Sequence, residues 1–385
     1  MPRKACIVVT ARPSYARIKT VIQAVKDHPD LELQLVVAAS ALLERYGAAV
    51  DVMRQDGFEP DALVYMVLEG ENTVTMAKST GLGLVELATV FDNLQPDLVV
   101  TVADRYETLA TATAASYMNL PTVHVQGGEV SGSIDEKVRH AVTKLSDLHL
   151  VSTERAREYV IRMGERPETV HRTGCPSIDI ADRVATSPVL GADPFDRYGG
   201  TGPSLDLSDG FLVVLQHPVT TEEDEAFQQI SETLHAVHDT GVPILWFWPN
   251  VDAGSDGTSK GIRVFRELYH SAPMHFFRNM PPEEFLRLLV TSKGIVGNSS
   301  VAIRECSYLG VPAVNIGTRQ AGRERGRNLM DVPHERAAIL EACRAQLDHG
   351  GYESDRMYGD GHAGQRIADL ISVAELTSSK RLDYL

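Results

Sequence analysis

The sequence predicts an α/β protein made of two Rossmann-like domains, and three observations carry that expectation. Short apolar runs of strand length alternate with helical patterns from the first residues onward, as parallel-sheet proteins require. Residues 186–210 are rich in Gly, Pro, Ser and Asp, show little periodicity, and separate two such alternating series. At 385 residues the chain is long enough for two domains of ordinary size.

The first series opens with a buried strand at 5–10 (ACIVVT), the loop ARPSY and a helix over 16–26. This is a Rossmann-like beginning without GxGxxG, so the dinucleotide fingerprint is missing. A strand follows at 33–38, then a long amphipathic helix over 71–94, expected to break near Gly81 and Gly83. Pro96 and Asp97 lead into a buried strand at 98–102, and the helix at 106–117 is small and apolar enough to pack closely on a sheet. A strand at 122–125 runs into Gln126-Gly127-Gly128-Glu129, and a helix covers 134–145 with Asp135 and Glu136 in its first turn, where acid complements the helix dipole. A strand at 148–152, a helix to about 163 and a strand at 170–173 complete the series.

The second series begins with a strand at 211–216, His217-Pro218 and a helix over 221–240. A strand at 242–247 ends in WPNVDAG; a helix, a short strand at 275–277 and a helix at 282–289 follow. The stretch from Val296 to Arg319 then reads as strand, Gly-Asn-Ser-Ser turn, short helix and strand, which is half of a parallel α/β unit. Helices at 336–347 and 362–376 end the chain. The expected domains are 1–185 and 186–365, with a terminal helix in 366–385 crossing back to the first domain. Two Rossmann-like domains facing across a cleft match the GT-B architecture of nucleotide-sugar enzymes.

Composition narrows the function classes. With 43% hydrophobic and 23% charged residues the chain is an ordinary globular protein, not a disordered one. A net charge of −15 argues against nucleic acid or an anionic membrane surface as partner, so an anionic ligand would be held by locally concentrated arginines. Four cysteines without a CxxC pair indicate neither a disulfide framework nor a zinc site, and Cys6 and Cys306 sit in apolar patterns as small core residues. No signal peptide or run of transmembrane length is evident, so a cytoplasmic, reducing location is expected. HExxH, Walker A and Ser-His-Asp signatures are missing, and no cofactor or metal is expected.

Residues with chemistry gather where strands end. Arg12 follows the first strand, where open sheets bind ligands; ordinary loop charge is the alternative. Asp104 and Arg105 set an acid beside a base at the end of the 98–102 strand, or form a surface turn. Gly127 and Gly128 let the backbone approach a ligand, and Glu129 can act as acid or base or bind sugar hydroxyls. Asp135 reads either as a helix-start acid or as part of the site. Pro218 disfavours helical geometry at His217, leaving an imidazole at a strand end to meet a leaving phosphate or transfer a proton. Asn250, Asp252 and Gly254 form a loop of nucleotide-binding type. Ser299 and Ser300 offer hydroxyls and free N–H groups to a phosphate, or simply cap the helix, and Glu305 is placed to accept from a sugar diol. The following loop carries Arg319, Arg323, Arg325 and Arg327, side chains suited to phosphate.

The segments ADRYETLA, HVQGGEVSGSIDEKVRHAVTKL, GCPSID, QHPVTT, WPNVDAGS and VGNSSVAIRE…GVPAVNIGTRQAGRERG, in this order, resemble the hydrolysing UDP-N-acetylglucosamine 2-epimerases of the sialic-acid pathway and the epimerase half of the bifunctional epimerase/kinase. The likeness runs from the first strand to about Arg327. It implies conversion of UDP-N-acetylglucosamine and water to N-acetylmannosamine and UDP, by elimination to a glycal and then hydration. It further implies proton transfer by Asp104 and Asp135, with His217 near the diphosphate. Substrate contacts would come from Arg12, Arg105, Asp179, Asn250, Ser299, Ser300, Glu305 and Arg319, with Glu305 on the ribose. Homodimers or homotetramers are common in such families. One departure stands out. Gln126 occupies the place of a glutamate that is a proposed acid/base in many members, and an amide cannot transfer a proton in that way. Asp104, Asp135 or Glu129 would then take over the step, or the substrate would be a UDP-linked 2,4-diacetamido-trideoxy sugar. A glycosyltransferase of the same fold and a non-catalytic nucleotide-sugar sensor are the other readings.

Overall fold

The computed structural model describes residues 1–385 except 45–46, 70–72, 132–134, 220, 250–254, 279, 378, 382 and 384–385. The chain forms two compact units, one of Met1–Glu129, Ile134–Asp179 and Tyr358–Leu385, the other of Val130–Ser133 and Ile180–Met357.

The first unit holds seven strands: β1 (Arg3–Val9), β2 (Leu31–Ala38), β3 (Ala62–Val64), β4 (Leu98–Val102), β5 (Thr122–Val125), β6 (Leu148–Val151) and β7 (Val170–Arg172). They lie parallel in the order β3-β2-β1-β4-β5-β6-β7, so the strand order reverses between β1 and β4. The unbroken apolar runs of β1 and β4 follow from burial on both faces. Ala5, Ile7 and Val9 enter one core, which the terminal helix Ala363–Val373 completes with Ile367 and Ile371; Cys6 and Val8 enter the other.

The second unit holds β8 (Leu212–Leu215), β9 (Ile244–Phe247), β10 (Met274–Phe277), β11 (Gly294–Gly297), β12 (Ala313–Ile316) and β13 (Leu329–Val332). These are parallel too, in the order β10-β9-β8-β11-β12-β13, and the reversal falls between β8 and β11. Trp246, Phe265, Phe276 and Ile339 lead the core of this sheet.

Four expectations from the sequence need correction. The boundary lies at Asp179/Ile180, not after residue 185, and the chain rejoins the first unit at Tyr358, ahead of residue 366. Hydrogen bonds explain this: Cys175 N–H donates to the Tyr358 carbonyl, and the Asp179 carboxylate accepts from the N–H groups of Ala363 and Gly364. The stretch 186–210, expected to connect the domains, lies within the second unit. It contains the helix Pro194–Tyr198, and Thr201 bridges to Phe276 while the His275 ring bonds the carbonyls of Gly199 and Pro203.

The third correction concerns the helix Thr73–Leu94, which runs through Gly81 and Gly83 unbroken. Gly83 is a packing glycine: a Cβ there would stand 2.4 Å from Met66 Cε and 3.1 Å from Ala110 Cβ, in the neighbouring helix Tyr106–Tyr117. The fourth concerns the helix after the first strand. It begins at Arg12, with Pro13 in its first turn, and resumes as Lys19–Asp27. Proline tolerates the first turn because no intrahelical donor is needed there.

Candidate active site

In the first unit the site builds from the carboxyl ends of β4, β5 and β6. Ala103, just past β4, is in the left-handed region at φ +65°, and so is Gln126, just past β5, at φ +67°. Non-glycine residues there are uncommon, and such strain gathers at functional sites. The turn at Ala103 is held by a buried histidine in β5. His124 Nε2 lies 2.8 Å from the Ala103 carbonyl and Nδ1 lies 3.1 Å from Thr143 Oγ1. A carbonyl can only accept, so Nε2 carries the proton and Nδ1 accepts from Thr143. Burial, the largest influence, pushes the His124 pKa down to about 3, with the Ala103 bond opposing it.

The turn presents Asp104, which is buried and ion-paired to Arg139, with Arg17 at 3.8 Å. Arg139 stands in the helix Asp135–Leu145, wholly buried, and also donates to the Glu129 carbonyl at 2.6 Å and the Glu136 carboxylate at 2.5 Å. Glu129 is buried too, its Oε1 accepting from Ser152 Oγ at 3.0 Å. Gln126 Nε2 donates to Cys175 Sγ at 2.9 Å, while its Oε1 is buried with no partner. Asp135 begins the helix that carries Arg139. Asp104 and Glu129 are thus brought together around one buried guanidinium, while Gln126 faces Cys175.

Other expected residues of this unit have the following contacts. Arg105 is the residue before the helix Tyr106–Tyr117 and pairs at 3.2 Å with the wholly buried Glu107. Arg12 lies in the first turn after β1, and burial pulls its guanidinium pKa below the ordinary value. Asp179 accepts from Thr20 Oγ1 at 2.9 Å as well as from the first N–H groups of the terminal helix, so both its oxygens serve as a helix cap.

In the second unit the relevant residues follow β8 and β11, the two strands at the reversal of order, where open sheets bind ligands. His217 is buried just past β8, and Asn298-Ser299-Ser300 follow β11. Ser299 Oγ accepts from Val301 N–H at 3.4 Å, so it caps the 3₁₀ turn Ser300–Ala302, as the simpler reading held. The longer helix expected here is instead that turn followed by Glu305–Leu309. Five residues make only a small macrodipole, so an anion would rely on the turn's N–H groups and on side chains. Arg304, buried, donates to Ser300 Oγ at 2.8 Å. Glu305 is buried, and its Oε2 has no partner. A carboxylate oxygen left so is costly unless a ligand donates to it. Arg319 Nη1 donates to the Asn298 carbonyl at 3.2 Å. Arg325, in contrast, is engaged with Asp331 and two backbone carbonyls. Asn250, Asp252 and Gly254 lie outside the described residues.

Sequence reasoning left His124, Arg139, Asn298 and Arg304 without roles. His124 and Arg139 lie inside the HVQGGEV…KVRHAV segment and Asn298 inside VGNSS, so the signal was present but pointed at their neighbours. None of the four cysteines is in a disulfide, and all are buried. Among the described residues no group of three or more His, Cys, Asp or Glu could hold a metal ion, and no helix is long and apolar enough to cross a membrane.

The chain is 32% identical over 378 residues, 98% of each chain, to the UDP-N,N'-diacetylbacillosamine 2-epimerase (hydrolyzing) of Legionella pneumophila. It is 30% identical over 380 residues to the UDP-N-acetylglucosamine 2-epimerase of Neisseria meningitidis serogroup B, covering 97% of this chain and 96% of that one. A crystal structure of UDP-GlcNAc 2-epimerase from Neisseria meningitidis bound to UDP-GlcNAc shares the fold, with a TM-score of 0.79 over 96% of this chain and 99% of that one at 17% identity. The sequence profile described as UDP-N-acetylglucosamine 2-epimerase matches residues 23–372, and the chain belongs to that family.

Proposed function

We propose that the protein is a hydrolysing 2-epimerase of a UDP-linked 2-acetamido sugar. The observation that carries this reading is the buried Asp104–Arg139 pair at the carboxyl end of β4, in a chain that has an amide, not an acid, at position 126. The guanidinium contacts keep this carboxylate ionised, the form a base must have, at the cost of some of its basicity. In this reading Asp104 removes the hydrogen at C2 while the C1–O bond to UDP breaks, leaving a glycal. Water then adds at C1 and a proton returns to C2 from the opposite face, giving the free 2-epimer. Asp135 and Glu129 are the carboxyl groups left to deliver that proton, because Gln126 cannot.

The departing diphosphate needs positive charge and oriented donors. Arg319, Ser299, Ser300 and the imidazole of His217 are the groups proposed to supply them, with Glu305 on the ribose hydroxyls. Arg12 and Arg105 remain candidates for substrate contact. The preferred sugar is a 2,4-diacetamido-trideoxy one. Gln126 supports this choice, as does the Legionella relative, whose name specifies N,N'-diacetylbacillosamine and hydrolysis.

Turnover in D2O with UDP-N-acetylglucosamine and UDP-linked 2,4-diacetamido-trideoxy sugar tests the proposal. Solvent deuterium at C2 of a free sugar, with one equivalent of UDP released, is expected. Deuterium at C2 of a sugar still joined to UDP would make the enzyme a non-hydrolysing epimerase. Retained hydrogen with release only on adding an acceptor would make it a glycosyltransferase, and binding without release a sensor.

A further inference from the structure

We propose that Asn298 is the positioning residue for His217, holding the histidine at a fixed offset from the Ser299–Ser300 turn. The inference rests on the role given to His217 above, but its observations are separate. Asn298 is wholly buried and fully engaged. Its side-chain Oδ1 accepts from the backbone N–H of His217 at 2.7 Å, and its Nδ2 donates to the backbone carbonyl of His217 at 2.8 Å. Its own N–H reaches the Leu215 carbonyl at 3.3 Å, and its carbonyl accepts from Arg319 Nη1 at 3.2 Å and Gln320 Nε2 at 2.8 Å.

The placement explains the residue type. Pro218 has no N–H to extend the ladder beyond β8, and the β8–β11 pairing ends at Leu215 and Gly297. One side chain must therefore replace a rung of the sheet, offering a donor and an acceptor to the same peptide. Only a carboxamide does both; Asp lacks the donor and Ser the reach. Gly297 makes the approach possible. At φ +139° it lies where a Cβ would be 2.1 Å from the Leu215 carbonyl oxygen, so the strand ends touch only because this residue is glycine. The Asn298 backbone thus sits between the serine turn and Arg319 while its side chain grips His217. A group proposed to meet the leaving phosphate is tied to the groups proposed to bind it.

A double-mutant cycle on turnover tests this, with UDP affinity and melting temperature measured alongside. Asn298→Ala is expected to lower kcat about 30- to 100-fold and to weaken UDP binding no more than about fivefold. In the His217→Gln background the same change should cost less than about twofold, because the residue it positions is already gone. Gln346→Ala serves as the structural control. Gln346 is another buried amide bridging two carbonyls, those of Ala313 and Asn328. It should lower the melting temperature similarly with kcat within threefold of wild type. Losses that multiply fully across the cycle, or a Gln346→Ala variant as slow as Asn298→Ala, would overturn the inference. Normal turnover by His217→Gln alone would instead defeat the role assigned to His217.

Discussion

Arg139 reaches the carboxylate of Asp104 with one guanidinium nitrogen and the backbone carbonyl of Glu129 with the other, joining the ends of β4 and β5 from within a helix that is their neighbour. The guanidinium fork suits both contacts at once, because it presents donors in two directions in a fixed plane. Arg139→Met would leave Asp104 without its buried partner, and breaking a buried pair in this way costs about 3–5 kcal/mol. Urea denaturation should report that loss. Turnover should fall at least about 100-fold with UDP affinity within twofold, because the diphosphate is assigned to residues of the second unit. A UDP affinity that falls in step with turnover would remove Arg139 from the proton-transfer site.

Gln126 separates two accounts of the proton transfer. Its amide is tied to Cys175 Sγ and its Oε1 lacks a partner, so its side chain is proposed to help shape the site without moving a proton. Gln126→Ala is expected to keep kcat within about tenfold and to retain full deuterium incorporation at C2. Asp104→Asn should lower kcat by about a thousandfold or more, the scale of lost general-base catalysis. Equal losses in the two variants, measured by UDP release, would transfer the step away from Asp104.

The unpartnered Oε2 of Glu305 makes a specific demand on the ligand. If it accepts from ribose, the wild type should bind UDP about 10- to 100-fold more tightly than the 2′,3′-dideoxy analogue, consistent with about 1.5–3 kcal/mol for hydrogen bonds to a charged group. Glu305→Ala should bind both about equally. Calorimetry with the two nucleotides decides it, and discrimination that survives the substitution would assign Glu305 elsewhere.

Much of this architecture could be read from residue order because parallel strands buried on both faces announce themselves as apolar runs. The strand at 122–125 coincides with β5, and 98–102 with β4. The edge strands β3 and β13 escaped, since Ala-Leu-Val and Leu-Met-Asp-Val are short, partly exposed and carry no clear period. Gly83 misled for a different reason: glycine signals both a break and a close helix contact, and only Met66 and Ala110 decide between them. Within the site, strand ends flagged Asp104 and Glu129, which are acids in turns. His124 and Arg139 could not be flagged, because their parts depend on which backbone carbonyl each one meets. Asp179 shows the converse. Its motif suggested substrate, but its neighbours are the N–H groups of Ala363 and Gly364, 184 and 185 residues away in sequence.

His124 links the site to pH through stability. Burial holds its folded pKa near 3, against about 6.5 in an unfolded chain. Between those values the unfolded chain binds a proton that the folded chain refuses, so stability rises with pH across the window, is complete above about 6.5, and is lost as pH falls. One such group gives a slope of about 1.4 kcal/mol per pH unit. Glu165 acts on lower ground. Burial would raise its pKa, but donors from His149, Lys144 and Lys380 hold it at about 2, so its contribution is lost only below about pH 4.5. The interval from pH 6.5 to 4.5 therefore excludes Glu165 and reports His124 among the groups that burial shifts. His124→Gln keeps a donor for the Ala103 carbonyl and an acceptor for Thr143 but cannot ionise, so it should reduce the slope of unfolding free energy in that interval by about one proton's worth. His149, His235 and His334, whose pKa values burial also lowers, and Asp147, whose pKa burial raises, would contribute to the slope that remains. Urea melts at half-unit pH steps measure this, and an unchanged slope in His124→Gln would mean that His124 titrates alike in the folded and unfolded chains.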